Sequence, residues 1–268
     1  SAQVAGDKVL LFDRGGKKFK VSSQSGQLYE KELTYPIVCG AVSGDGKAAI
    51  SSGAQGYISE VAVYSSTGEE IFKWSSLDSY VMFVTFSPGG KGMVVAGVSA
   101  KDGSVVTKLS AFRFDSEDAL WSFEAEDCIP YSLSYSGNNV HLVTDSSVIS
   151  VGSDGAQAAK YDYEGKVLSS FAADDGGRLA LAFERSDIIS VVGSDLKETG
   201  KIEIKEDIRD VAIGNGMVAA LTSGGIARYS LDGSAKGDSK ENIDGKRILC
   251  AGGKIYVITS NGAYQYGG

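Results

Sequence analysis

An apolar run, a Gly-rich turn and a second apolar run recur along this chain at intervals of about 40 residues, and a period of that length marks a propeller or solenoid array. The clearest copy spans Tyr80–Glu124. Its first run, Tyr80–Phe86, is apolar at nearly every position, as a strand reads when neighbours cover both of its faces. Ser87-Pro88-Gly89-Gly90-Lys91 turns the chain into Met93–Val98, and a polar loop expected at Ser99–Ser104 leads to Val105–Phe114. Asp115-Ser116-Glu117-Asp118 then turns into a fourth strand, where Ala119, Trp121 and Phe123 alternate with Leu120, Ser122 and Glu124. That alternation is the pattern of a strand with one wet face. Phe83, Phe86, Trp121 and Phe123 are expected to be largely buried.

First strands of such units are expected at Gln3–Ala5, Pro36–Val42, Tyr80–Phe86, Ile129–Tyr135, Val167–Ala172, Ile208–Ile213 and Arg247–Ala251. Second strands follow at Lys8–Phe12, Ala48–Ser51, Met93–Val98, Val140–Thr144, Leu179–Phe183, Met217–Thr222 and Ile255–Thr259. The turns between them, such as Ser43-Gly44-Asp45-Gly46 and Gly214-Asn215-Gly216, are built from residues that accept positive φ. Outer strands are expected at Gln27–Leu33 and Glu69–Trp74, after Gly-containing turns. Helical apolar spacing never persists beyond about one turn. One four-stranded sheet buries too little to stand alone, so such sheets must pack face to face around an axis. The expectation is a single all-β domain over residues 1–268, a β-propeller of seven blades of four antiparallel strands, with six or eight blades and a β-sandwich pair left open. The last unit supplies only three strands, ending in Gly262–Tyr266, so its blade is incomplete or closed by the N-terminus.

Composition narrows the function. With 26 Lys+Arg against 34 Asp+Glu the formal charge is −8, and no basic run of the kind that tracks phosphates occurs, which argues against nucleic acid. No apolar run approaches the roughly 20 residues that a membrane helix needs. Cys39, Cys128 and Cys250 are odd in number and lack zinc-type spacing. All three fall in or beside first strands, where a small apolar thiol suits a crowded hub, and they are expected to be shielded.

Catalytic material is thin. His141 is the only histidine and sits in an apolar strand, so a Ser/His/Asp triad or a His-rich metal site could draw on nothing else. Asp174-Asp175, Glu117-Asp118, Glu126-Asp127 and Asp207/Asp210 are the available paired carboxylates. Most sit at turns, where Asp is ordinary turn chemistry. They keep open a carbohydrate-active hydrolase or lyase with carboxylates at a central funnel. No metal and no cofactor is expected. The stronger lead is aromatic. Tyr35, Tyr80 and Tyr131 stand at starts of first strands, Tyr57 follows the loop after a second strand, and Arg185, Arg209 and Arg247 fall at comparable places. Tyr and Arg anchor interfaces, so these seven are the candidate partner-binding residues; the competing reading packs the Tyr rings between blades with only the hydroxyl wet.

Several resemblances follow from the motifs. Ser87-Pro88-Gly89-Gly90-Lys91 is similar to the turn of YVTN-type and WD40-like propellers, although no Gly-His or Trp-Asp signature accompanies it. Ser43-Gly44-Asp45-Gly46-Lys47 is similar to the Asp-box of sialidases but lacks the Gly and Trp that would follow. Ser66–Trp74 resembles half of a quinoprotein docking repeat and occurs once, which counts against a quinone cofactor. Over nearly the whole chain the order of motifs resembles an uncharacterised family of membrane-anchored extracytoplasmic propellers of clostridia and related Gram-positive bacteria. The residues that carry it are Val9–Lys18, Tyr35-Pro36-Ile37-Val38, Val42–Gly46, Val61-Ala62-Val63-Tyr64 and Thr67-Gly68. The resemblance implies a membrane helix upstream of Ser1, in keeping with a start at Ser1-Ala2 without Met, and a propeller on the extracytoplasmic face, with the cytoplasm left open. It implies no activity and transfers no functional residue. The expected function is a monomeric, non-enzymatic scaffold presenting a propeller face to a protein or cell-wall glycan.

Overall fold

The computed structural model describes residues 1–116, 118–239 and 244–266, and no helix occurs among them. Seven antiparallel sheets follow one another in chain order. The first holds β1 (Ala2–Ala5), β2 (Lys8–Phe12), β3 (Lys18–Ser23) and β4 (Gly26–Glu32); the second β5 (Ile37–Val42), β6 (Ala48–Ala54), β7 (Tyr57–Tyr64) and β8 (Glu70–Ser76). The third holds β9 (Tyr80–Phe86), β10 (Gly92–Lys101), β11 (Ser104–Arg113) and β12 (Trp121–Glu126); the fourth β13 (Pro130–Ser136), β14 (Asn139–Thr144), β15 (Ser147–Val151) and β16 (Gln157–Asp162). The fifth holds β17 (Leu168–Ala173), β18 (Leu179–Phe183), β19 (Ile188–Val192) and β20 (Glu198–Glu203); the sixth β21 (Ile208–Gly214), β22 (Met217–Thr222), β23 (Ile226–Ser230) and β24 (Ala235–Ser239). The seventh has three strands, β25 (Gly245–Ala251), β26 (Lys254–Thr259) and β27 (Gly262–Tyr266). This is the sheet composition of a seven-bladed β-propeller whose last blade is one strand short. The N-terminal strand β1 is the first strand of the first sheet.

Two compact units divide the chain: Ser1–Asp145 with Val151–Ala158, and Ser146–Ser150 with Ala159–Gly268. In the first unit β1 lies beside β5, β5 beside β9 and β9 beside β13. In the second, β17 lies beside β21 and β21 beside β25. The apolar runs are continuous because successive residues serve opposite neighbours. Ala48, Ile50, Ala62 and Tyr64 of the second sheet join Leu10, Phe12 and Phe19 of the first. Ala49, Val61 and Val63, which alternate with them, join Val81, Val84 and Met93 of the third. In the second unit Val191 and Ile202 pack with Val211 and Ile213, while Ala212 and Leu221 pack with Ile248 and Val257. A fully buried aliphatic side chain of this kind stabilises by about 1.5–3 kcal/mol.

One expectation is corrected. The loop placed at Ser99–Ser104 is instead ladder. β10 and β11 pair from Gly92↔Arg113 to Lys101↔Ser104 and turn on Asp102-Gly103 alone, with φ of 52° and 86°. Two central residues at positive φ match the twist of the flanking strands. Phe83, Phe86, Trp121 and Phe123 are mostly covered, as expected, without being fully buried. In β9 a bulge at Met82 breaks the alternation, so Val81 and Val84 take the covered positions. Phe83 and Phe86 line a cleft of about 720 Å³ within the first unit. Trp121 and Phe123 lie on β12, an outermost strand paired on one side only.

Candidate partner-binding surface

The β9 bulge is one of a series. The first strands of six sheets each carry one unpaired residue near their start: Val38, Met82, Tyr131, Ser169, Arg209 and Lys246. A bulge re-aims the side chains around it and sharpens the local twist. Tyr131 and Arg209 therefore occupy equivalent positions in their sheets, and both are exposed. Tyr80 stands one residue before its bulged pair, and Tyr35 lies outside β5 altogether. The three tyrosines expected at one shared position thus hold three different ones.

In the first unit, large apolar side chains collect at the end of the sheets where first strands begin. Tyr57 and Ile58 start β7, Leu77 and Tyr80 flank the β8–β9 connection, Val105 starts β11, and Ile129 and Tyr131 flank the start of β13; all are exposed, Leu77 the most at 70%. Hydrogen bonds between neighbouring sheets fix their backbones. The Val81 N–H donates to Ser59 Oγ at 3.0 Å, which ties β9 to β7 beside Tyr80 and Ile58. Thr107 Oγ1 donates to the Cys128 carbonyl at 2.7 Å, and within the fourth sheet the Ile129 N–H donates to Asp145 Oδ1 at 3.0 Å. Under Leu77, Ser76 Oγ donates to Asp78 Oδ1 at 2.9 Å and accepts from the Ser79 N–H, while Lys108 pairs with Asp78 at 3.1 Å. Those two partners, the Ser76 hydroxyl first and the Lys108 ammonium second, hold the Asp78 carboxyl below its usual range.

Tyr57, Tyr80 and Tyr131 belong to this surface. Tyr35 is half-buried against the backbone of Gly53, where a Cβ would stand 3.7 Å from Tyr35 Cβ, so it has the surroundings of a packing residue. In the second unit Arg185 is exposed in the β18–β19 turn at φ 54° and lines an open cleft of about 730 Å³ with Glu184, Asp187, Lys205, Glu206 and Asp207. Arg209 is exposed at its bulge. Arg247 instead binds the buried Asp210 through Nε at 2.9 Å. Ile58, Leu77, Val105 and Ile129 belong to no repeat signature; the readable sign was Leu77, an isolated aliphatic residue within the polar stretch Ser75-Ser76-Leu77-Asp78-Ser79.

Several residues weighed for chemistry have structural engagements, while Glu126, Asp127, Asp175 and Asp207 are exposed. His141 is buried in β14. Asp174 Oδ1 accepts the N–H groups of Gly176 and Arg178 at 3.0 and 2.9 Å, and its Oδ2 takes the Arg178 guanidinium at 2.7 and 2.6 Å. Asp45, in the stretch similar to an Asp-box, binds Ser43 and Lys47 within its own turn. Of the pair Glu117-Asp118, Glu117 lies outside the described residues. Among the described residues no three His, Cys, Asp or Glu side chains form a group suited to a metal ion. Cys39 and Cys128 are buried and Cys250 is half-buried. Burial pushes the Cys39 thiol up to about 12, the reverse of what a reactive thiol needs.

No curated protein matches the sequence. Among solved structures, the fold is similar to that of BamB from Moraxella catarrhalis, with a TM-score of 0.63 and 10% identity over 99% of this chain and 81% of that one. It is similar to a streptogramin B lyase, with a TM-score of 0.64 and 14% identity over 99% and 91%. A chain of the mitotic checkpoint complex gives 0.66 and 9% over 98% and 88%. These are likenesses of WD40- and YVTN-type propeller fold. Matched over residues 1–265, the chain belongs to a family of unknown function, DUF5711.

Proposed function

We propose that this protein is a non-enzymatic binding scaffold that docks a protein partner on the strand-start end of its second, third and fourth sheets. The observation that carries this is the set of seven exposed apolar side chains there, Tyr57, Ile58, Leu77, Tyr80, Val105, Ile129 and Tyr131, on strands cross-bonded between sheets. Loops and strand ends held by a rigid framework keep their side chains in fixed relation, and rigid aromatic anchors lose little entropy on binding. Membership of a propeller chain in the mitotic checkpoint complex accords with such a role.

A carbohydrate-active hydrolase or lyase is the second reading, favoured by the fold shared with a streptogramin B lyase. It would need a pair of carboxylates free for acid–base work; Asp45, Asp174 and Asp210 are each engaged in structural bonds, which leaves exposed carboxylates such as Glu126 and Asp127 as its material. A place on the extracytoplasmic face behind an upstream anchor joins the proposal on the strength of the motif resemblance alone; a monomeric state, and a cell-wall glycan as the alternative to a protein partner, join it as expectations of the sequence. Cross-linked capture with the full-length protein tests the scaffold. A partner held by the wild type should be lost when Tyr57, Tyr80 and Tyr131 are changed to Ala, a central Tyr alone accounting for roughly 2 kcal/mol or more. Retention of the partner by that triple variant would overturn the assignment of this end.

A further inference from the structure

We infer that the partner of this surface is a protein segment that alternates large apolar side chains with lysine or arginine. The inference rests on the scaffold reading and adds the chemistry of the occupant. The apolar side chains are bordered by carboxylates, and the lysines beside them are already taken. Lys108 pairs with Asp78 at 3.1 Å, Lys73 with Glu60 at 3.5 Å and Lys101 with Glu124 at 3.1 Å. Asp102, Glu126 and Asp127 are exposed at the same end with no cation in ion-pair contact among the described residues. Lys101 is the ammonium that faces this corner, and the carboxylates acting on it are Glu124 first, then Glu126 and Asp102.

Register places these charges next to the apolar set. Asp102 caps the β10–β11 turn, where Ala100 pairs with Val105. Val106 pairs with Glu126, and the Asp127 N–H donates to the Val105 carbonyl at 2.8 Å. A segment that covered Val105 and Ile129 with an aliphatic or aromatic side chain would therefore bring its neighbours within reach of three carboxylates. Cations satisfy them; carboxylates would be repelled, both locally and by a chain of net charge −8. A second copy of this chain would bring the same acidic border and is disfavoured on the same ground. The division of labour is the ordinary one, with apolar burial supplying affinity and charge supplying orientation and association rate.

The probe is a short synthetic peptide alternating leucine and tyrosine with lysine, and a matched peptide with glutamate in place of lysine, each read by fluorescence anisotropy. Wild type should bind the lysine peptide, more weakly at roughly 0.15 M salt than at low salt, and should not bind the glutamate peptide. The variant D102N/E126Q/D127N should bind about tenfold more weakly, since exposed pairs are individually modest and add. E164Q/D175N/E203Q removes the same charge elsewhere and should bind as wild type; circular dichroism and a thermal melt confirm that both variants fold. Equal loss in the two charge variants, equal binding of the two peptides, or no binding of the lysine peptide overturns the inference. If the carboxylate variant binds as wild type while the Tyr57, Tyr80 and Tyr131 triple variant does not, the basic partner is wrong and the docking surface stands. If the tyrosine variant also binds as wild type, both fall.

Discussion

Arg247 Nε lies 2.9 Å from Asp210 Oδ2, and the Ile248 N–H donates to the same oxygen at 2.8 Å. The other oxygen, Oδ1, accepts from Ser170 Oγ at 2.6 Å, and Ser170 Oγ accepts from the Val211 N–H at 3.2 Å. One carboxylate, 5% exposed, thus ties β17, β21 and β25 together at the level of their bulges. A buried charge is tolerated when its lone pairs are filled by good donors, and three fill this one.

Asp210→Ala should therefore destabilise the protein by about 2–4 kcal/mol, because it leaves the Ile248 N–H and the Ser170 hydroxyl unsatisfied in a covered site. Arg247→Ala should cost less, since its side chain is 64% exposed and the carboxylate keeps its other two donors. Denaturant midpoints give the order. A larger loss for the arginine variant would show that the guanidinium, not the carboxylate, is the centre of the clasp.

Gly200 is required by a close approach rather than by a turn. A Cβ there would stand 2.5 Å from the Leu231 carbonyl oxygen and 3.1 Å from the Asp232 carbonyl carbon, both backbone atoms. Gly200→Ala should cost about 1–3 kcal/mol through the displacement it forces. Gly44→Ala, whose added methyl meets open space, is the comparison and should be close to neutral. Equal midpoints for the two variants would show that the Leu231–Asp232 segment yields freely.

The Cys39 thiol ties stability to alkaline pH. Its folded value, near 12, lies above the ordinary 9, so between those values the unfolded chain has lost a proton that the folded chain keeps. Its contribution is whole below about pH 9 and declines as pH rises towards 12. Cys39→Ala should flatten the fall in unfolding free energy over the accessible part of that range. With a thiol reagent on the native protein, half-buried Cys250 should react before Cys39 and Cys128. An unchanged slope, or labelling of Cys39 first, contradicts this placement.

Strand existence was legible because burial on both faces leaves continuous apolar runs: Tyr80–Phe86, Leu179–Phe183 and Met217–Thr222 have the bounds that their composition implies. The ladder at Ser99–Ser104 was hidden because polar side chains on a solvated hairpin look like a loop, and only Asp102-Gly103 needs positive φ. Side-chain direction near the start of first strands was not legible at all. A bulge adds one residue without a sequence signature, so Tyr131 and Arg209 became equivalent while Tyr35 and Tyr80 did not. The clasp on Asp210 was hidden for another reason: its partners Ser170 and Arg247 lie 40 and 37 residues away, a separation no local pattern reports.

Hydrogen exchange within the second unit should separate β22 from β27. β22 lies between β21 and β23 with every residue after Met217 buried, so its amides should exchange only through large-scale opening. β27 pairs with β26 alone, and its residues are exposed up to the half-buried Tyr266. An edge strand of this kind opens by fraying and presents unpaired N–H groups to water. Peptides covering residues 262–266 should take up deuterium at the earliest times, while those covering 217–222 stay protected. Equal protection of the two would mean that another strand pairs along the open edge of β27, and would make the seventh sheet four-stranded in solution.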